Sequence, residues 1–232
     1  MHVFYVPVLG EDLITLSEEE SKHAIRVLRL KKGEEVHLAD GKGTQCIASI
    51  ADDNVKKCVL QIKERNNHKP RTTRLHVAIA PTKNFDRIEW FIEKATELGI
   101  EEISFIECTR GERSKINLDR CIKTAVSAMK QSKQWWLPQI NDIIPFKKML
   151  ETTYADALKL MAWCETDKQE SIHKYLKNSG HQNLIFLIGP EGDFTENEVI
   201  QAQENGFIPV SLGTGILRTE TAALYVCALA KN

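Results

Sequence analysis

The chain has 232 residues, 42% hydrophobic and 27% charged, with a net charge of −1. That composition fits a soluble globular protein built as one large domain, or as an ordinary domain plus a small one. No apolar run approaches the roughly 20 residues a membrane helix needs, and Met1–Gly10 has neither the charged nor the apolar region of a secretory signal, so no membrane partner and a cytoplasmic location are expected.

From the amino terminus, Val3–Val6 reads as a short strand and Ser17–Arg29 as a helix. Ser17 and Glu20 have capping-box spacing, in which each side chain satisfies the other's free backbone N–H. Gly33 ends that pattern. Glu35–Ala39 and Thr44–Ile50 read as strands joined by Asp40-Gly41-Lys42-Gly43, a strong turn signal. A turn at Asp52-Asp53-Asn54 leads to a strand over Lys56–Ile62. Several short strands and one helix predict a small β-barrel, and the polar, basic Asn66–Thr73 stretch reads as a linker.

After the linker, strands and helices alternate. Leu75–Ala80 reads as an apolar strand. Phe85–Leu98 reads as an amphipathic helix with Ile88, Phe91, Ile92, Ala95 and Leu98 on one face, stopped by Gly99. Ile103–Ile106 follows as a strand, then Leu118–Gln131 as a helix with Ile122, Ala125, Val126 and Met129 inward. Leu158–Trp163 and Leu184–Ile188 read as buried strands. Thr195–Asn205 is a helix with a second capping box, Thr195 with Glu198. Phe207–Leu212 is the last strand and Thr219–Ala230 the last helix. Such alternation predicts a mostly parallel α/β sheet covered on both faces.

Charge is uneven along the chain. Lys22–Lys32 carries five basic residues and no acid, and Arg110–Lys133 carries seven basic residues and two acids. From Glu151 onward there are eleven acids and six basic residues. A basic first half suits an anionic partner such as nucleic acid, although each cluster by itself also reads as a solvated face. Lys22, Arg26 and Arg29 lie at helical steps and are candidates to dock RNA phosphates.

Two glycine-bearing turns directly follow buried strands: Ile188-Gly189-Pro190-Glu191-Gly192 and Leu212-Gly213-Thr214-Gly215-Ile216-Leu217-Arg218. Glycines at the carboxyl end of a strand let backbone approach a ligand closely, and in open α/β sheets ligands bind at that edge. Either turn alone also reads as a tight strand-to-helix connection. Gly213-Thr214-Gly215 begins a G-x-G-x-x-G pattern, but Arg218 occupies the third glycine's place and too little chain follows for a dinucleotide fold. The sequence has no triphosphate-binding loop, no G-x-S-x-G elbow and no H-E-x-x-H pair. The seven histidines have no metal-ligand spacing, and the six scattered cysteines form no C-x-x-C pair. No metal is expected, and the cysteines read as core residues in a reducing compartment.

These two turns together, with Thr219-Glu220-Thr221-Ala222 after the second, resemble the paired signature of the 16S ribosomal RNA uridine N3-methyltransferase family of the SPOUT superfamily. Lys94–Gly99, Arg113-Ser114, Gln131-Ser132 and the His23–Arg29 stretch match it as well, so the similarity covers nearly the whole chain. The resemblance implies a PUA-like RNA-binding β-barrel over residues 1–70 and a SPOUT α/β methyltransferase domain over 71–232, its carboxyl-terminal segments threaded into a trefoil knot. It implies S-adenosylmethionine as cofactor, 16S rRNA or the assembled small subunit as partner, and a homodimer. Cofactor-binding residues would be Glu165, Ile188, Gly189, Glu191, Gly192, Leu212, Gly213, Ile216 and Leu217. Arg113 joins the candidate RNA contacts. Arg218 is the first candidate for catalysis, as a fixed cation beside the reacting base, and Glu220 the second, for proton handling. Asp193 stands where a second glycine is common in the family, Gly215 where arginine is usual, and Lys130 and Trp135-Trp136 change the surroundings of Gln131-Ser132. A SPOUT enzyme for another rRNA or tRNA position, including a ribose 2′-hydroxyl, and a non-catalytic assembly factor are the alternatives.

Overall fold

The computed structural model describes residues 2–151, 156–164, 170–177 and 183–231. They group into two compact units. One holds residues 1–70 together with 126–137, the other 71–125 and 138–232.

The first unit is a five-stranded sheet in the order β1-β3-β4-β5-β2. Its strands are β1 (Val3–Tyr5), β2 (Leu13–Thr15), β3 (Glu35–Ala39), β4 (Thr44–Asp52) and β5 (Val59–Asn67). Of these pairs, β1 with β3 is parallel and the rest are antiparallel. Phe4, Ile14, Val36, Leu38, Cys46, Ile50 and Leu60 fill one apolar core. Asp40 fixes the turn between β3 and β4, its Oδ1 accepting from the backbone N–H of Lys42 at 2.7 Å and of Thr44 at 2.9 Å.

Several expectations for this unit change. The strand expected over Lys56–Ile62 is β5, which starts at Val59 and runs on to Asn67, taking the first residues of the expected linker. Its last residues are exposed on both faces, so no alternation of apolar and polar residues marks them. The helix expected over Ser17–Arg29 is α1 (Glu18–Lys22) followed by a π-helical turn over His23–Val27. Leu28 donates to the carbonyl of His23 at 3.0 Å, an i to i+5 bond. Arg29 has φ 58, the left-handed region, so the chain leaves the helix before it. Half of the expected capping box forms: Ser17 Oγ accepts from Glu20 N at 3.2 Å. The Glu20 carboxylate instead takes the Lys130 ammonium at 2.6 Å.

The second unit carries a six-stranded sheet, β11-β9-β10-β6-β7-β8, in which every pair is parallel. Its strands are β6 (Arg74–Ile79), β7 (Glu102–Glu107), β8 (Gln139–Pro145), β9 (Ala157–Ala162), β10 (Asn183–Ile188) and β11 (Ile208–Val210). The helices are α2 (Phe85–Glu97), α3 (Leu118–Ser132, whose residues from 126 on group with the first unit), α4 (Phe146–Leu150), α5 (Ile172–Lys177), α6 (Glu196–Glu204) and α7 (Thr219–Ala230). Central strands of a sheet covered on both faces read as unbroken apolar runs, and β10 does so. α4 and α6 contribute Phe146, Met149, Leu150, Val199 and Ala202 to the core against Ile185 and Leu187 of β10. α7 packs on α2 and against β6 and β10. Both halves of the expected capping box form at α6, where Thr195 and Glu198 satisfy each other's backbone N–H groups; such a cap contributes about 1 kcal/mol.

Ile122, expected inward on α3, is exposed, and Cys121 and Ala128 are buried beside Ala125 and Met129. β2, β8, α4 and α5 were not expected. β8 is a half-buried edge strand, and α4 and α5 are too short for helical periodicity to register. Gly99 follows α2 with φ 77, and Arg71 Nη1 donates to the carbonyls of Leu98 and Gly99, capping the helix end. A Cβ at Gly99 would overlap that guanidinium. Among the described residues no helix is long and apolar enough to cross a membrane.

Candidate functional site

The register of three neighbouring strands builds the site. Ala162, the last residue of β9, lies opposite Ile188 of β10 and Val210 of β11. Three parallel strands therefore end at one level, and the loops leaving them face one another at the carboxyl edge. They enclose a cavity of about 850 Å³. Its walls are Ala162–Cys164 after β9, Ile188–Asp193 after β10, and Ser211–Thr219 after β11, with Ala222 of α7 beneath.

Each loop is tied in place. Asp193 has φ 60, a left-handed backbone that glycine adopts freely and aspartate tolerates. This explains why the position suits a glycine and how aspartate replaces it. The Asp193 carboxylate accepts from its neighbour Phe194 N at 2.8 Å and from Cys164 N at 3.0 Å, linking the first two loops. A Cβ on Gly189 would press on the fully buried Phe194 ring at 3.0 Å. Arg110 donates to the carbonyl of Gly192 at 2.9 Å. In the third loop, Ser211 Oγ accepts from Gly213 N at 3.2 Å, and Ser211 pairs through its backbone with Glu170 and Ile172. Gly213 has φ 143 and no neighbour among the described residues within 4 Å of where a Cβ would stand.

The sequence candidates Ile188, Gly189, Glu191, Gly192, Leu212, Gly213, Ile216, Leu217 and Arg218 all line this cavity. Glu191 Oε1 also accepts from Lys83 N at 3.2 Å. Glu165 lies outside the described residues. Arg218 is the N-cap residue of α7 and is exposed; its guanidinium makes no hydrogen bond or ion pair with the described residues. Glu220 is not part of the cavity wall. It is 7% exposed in the first turn of α7, with Oε1 3.8 Å from Arg87 Nε and Oε2 without a partner among the described residues. Arg113 is held elsewhere in the unit, with Nε and Nη2 donating to the carbonyls of Thr82 and Lys83. Lys22, Arg26 and Arg29 are exposed on the first unit, Lys22 paired with Glu18 at 2.7 Å. Arg29 lies past the π-helical turn, so helical spacing no longer relates it to the other two.

Trp163 and Cys164 were missed as wall residues. The signal for them was the carboxyl end of the expected Leu158–Trp163 strand, the same edge rule that singled out the glycine turns. Burial and the neighbouring Asp193 raise the Cys164 thiol pKa above its ordinary value, which disfavours a thiolate nucleophile. Trp163 Nε1 is buried without a partner among the described residues. Among the described residues no group of three His, Cys, Asp or Glu side chains could hold a metal ion.

A parallel sheet with a backbone-rich cavity at its carboxyl edge is a ligand-binding α/β architecture, and the comparisons with known proteins make it that of an RNA methyltransferase. The family described as an RNA methyltransferase domain matches residues 68–231, and the RNA methyltransferase PUA domain matches 16–63. The chain is 31% identical to ribosomal RNA small subunit methyltransferase E of Synechocystis, over 91% of this chain and 70% of that one. A probable rRNA-methyltransferase from Porphyromonas gingivalis superposes with a TM-score of 0.90 at 37% identity, covering 98% of this chain and 96% of its own. Ribosomal RNA small subunit methyltransferase E from Neisseria gonorrhoeae, solved bound to S-adenosyl methionine, superposes with a TM-score of 0.88 at 28% identity, covering 98% and 95%. The chain belongs to the ribosomal RNA small subunit methyltransferase E family.

Proposed function

We propose that this protein methylates N3 of a uridine in the 16S rRNA of the small ribosomal subunit, using S-adenosylmethionine, in the cytoplasm. The observation that carries the reading is the cavity made by three strand ends in register, with an arginine at its mouth that has no partner among the described residues. The residues present fit the cofactor. The volume lies within the range of pockets for ligands of that size. The walls offer backbone N–H and C=O groups to a heterocycle. Trp163 Nε1 is a donor without a partner among the described residues, and the space above Gly213 is open. When bound, S-adenosylmethionine supplies an electrophilic methyl group on a sulfonium.

The chain's part is then to position and to stabilise charge. The backbone of Gly189–Gly192 and Gly213–Leu217 would hold the cofactor, and Ile188, Leu212 and Leu217, which line the same cavity, would keep water from it. N3 lies on the Watson–Crick edge of uracil, so the target base must be unpaired or extruded to reach the cavity. As N3 loses its proton to solvent water, Arg218, exposed at the cavity wall, holds the negative charge that develops on the base. Glu220 takes a positioning role: its carboxylate sits in the first turn of α7, where a negative charge favours the helix start next to Arg218. The unit made of residues 1–70 and 126–137 serves in RNA binding, and the unit made of 71–125 and 138–232 in catalysis, so the expected boundary at residue 70 gains the 126–137 segment on the RNA-binding side. A homodimer is part of the proposal, because Ile216 on the cavity wall is 89% exposed and a second subunit would cover it.

Small subunits from a strain lacking the enzyme, incubated with the protein and labelled S-adenosylmethionine, should yield labelled N3-methyluridine on nucleoside mass spectrometry. A 2′-O-methyl nucleoside, or no transfer at all, would refute the assignment. Transfer should survive EDTA, and its loss on chelation with recovery on adding a divalent ion would bring in a metal.

Arg26 and Arg29 carry a second expected outcome. Replacing both with alanine should weaken RNA binding and lower the salt dependence by roughly one unit for each phosphate these arginines neutralise. S-adenosylmethionine affinity should stay as it is. An unchanged salt slope would leave the two arginines as a solvated surface.

A further inference from the structure

On the β unit, the segment at residues 135–137 is docked onto the turn between β3 and β4. Gly43 N donates to the Trp135 carbonyl at 2.9 Å, and Leu137 N donates to the Gly41 carbonyl at 2.9 Å. A Cβ on Gly43 would overlap the Trp136 ring, so a residue without a side chain is needed there. Trp135 stacks on His68 with centroids 5.5 Å apart and planes 18° from parallel, and lies 6.4 Å from the His37 ring. Gln45 joins the two imidazoles: its Nε2 donates to His37 Nδ1 at 2.9 Å and its Oε1 accepts from His68 Nε2 at 3.0 Å. Trp135 is thus fixed in place, and Trp136, its backbone bridged to Lys42 and its ring against Gly43, is 38% exposed; the neighbouring His68 on the same unit is exposed as well.

We propose that Trp136, seated against Gly43 and next to Trp135 in the chain, is a platform on which one unpaired base of the substrate RNA stacks. The proposal rests on the reading of RNA as substrate. An indole fixed before binding loses little freedom when a flat ring lands on it. Base–aromatic stacking is the common way proteins hold single-stranded RNA, because every base has a π-face. The charge around the platform favours RNA over an apolar partner. Lys42 bridges to Trp136 through the backbone, and Lys69 follows His68 while Lys133 comes shortly before Trp135 in the chain. The nearby acid Asp40 is engaged by backbone N–H groups of its own turn.

The test uses the full chain, a fluorescently labelled single-stranded RNA, and the same RNA with one abasic residue moved along it. For the wild type, an abasic residue at one position should weaken binding roughly fivefold or more. In Trp136→Ala the intact RNA should bind that much more weakly, and the abasic penalty at that position should vanish. Trp136→Phe should keep most of the affinity, and the salt slope should be the same in all three. Circular dichroism establishes that each variant is folded. Wild-type affinity in Trp136→Ala, an abasic penalty that persists in it, or a changed sedimentation mass at unchanged RNA affinity would each overturn the platform. S-adenosylmethionine titration of the same samples reads the other unit: absence of cofactor binding would defeat the methyltransferase reading and leave the stacking result standing.

Discussion

Arg218→Ala should lose on the order of a hundredfold or more in single-turnover methyl transfer at saturating RNA, while binding S-adenosylmethionine much as the wild type does. Arg218 caps α7 through its backbone alone, Ala222 N donating to its carbonyl at 2.8 Å, so an alanine can keep the helix start. Its guanidinium is not taken up by an ion pair with the described residues, which leaves it available to substrate. It is charged at any workable pH. A fixed cation beside uracil stabilises the transition state more than the ground state, because the negative charge on the base grows as N3 loses its proton. Arg218→Lys should recover little, since an ammonium lacks the planar fork. Transfer by Arg218→Ala at the wild-type single-turnover rate would show that the side chain has no part in the chemical step.

Gly213→Val should abolish detectable S-adenosylmethionine binding, with much less effect on RNA affinity. Gly213 has φ 143, a conformation that a β-branched residue adopts only with strain on the order of 1–3 kcal/mol. No atom of the described residues lies within 4 Å of the added Cβ, so the branch would stand in the open space at the cavity wall. The loop could relieve the strain by turning, but that would break the Gly213 N to Ser211 Oγ bond and move Leu212 and Leu217 with it. Circular dichroism and thermal melting must show a folded protein. Wild-type cofactor affinity in a folded Gly213→Val would mean that this turn is not the binding wall.

The reach of the sequence differs from element to element. The Thr195–Glu198 box was legible because its partners are three residues apart, and Thr109 N, which also donates to Glu198, uses the other carboxylate oxygen. The same spacing at Ser17 misled, because Lys130, distant in sequence, takes Glu20. Local spacing offers possible partners, and tertiary contacts choose among them. Likewise the Lys22, Arg26 and Arg29 face assumed an α-helix, and a π-helical turn with a left-handed Arg29 replaced it.

By itself the sequence determined the rhythm of strands and helices, the two glycine turns at strand ends and, through its resemblance, the family. These depend on local patterns: apolar runs, turn residues and motif spacing. Only the tertiary structure decided that Ala162, Ile188 and Val210 end at one level, which brings Trp163 and Cys164 into the same cavity as the glycine turns. It also decided that Glu220 turns under the helix toward Arg87 while Arg218 stays at the cavity mouth. Register between strands far apart in the chain is set by long-range pairing and by the packing of both sheet faces, and a linear pattern of residues does not encode which ends will meet.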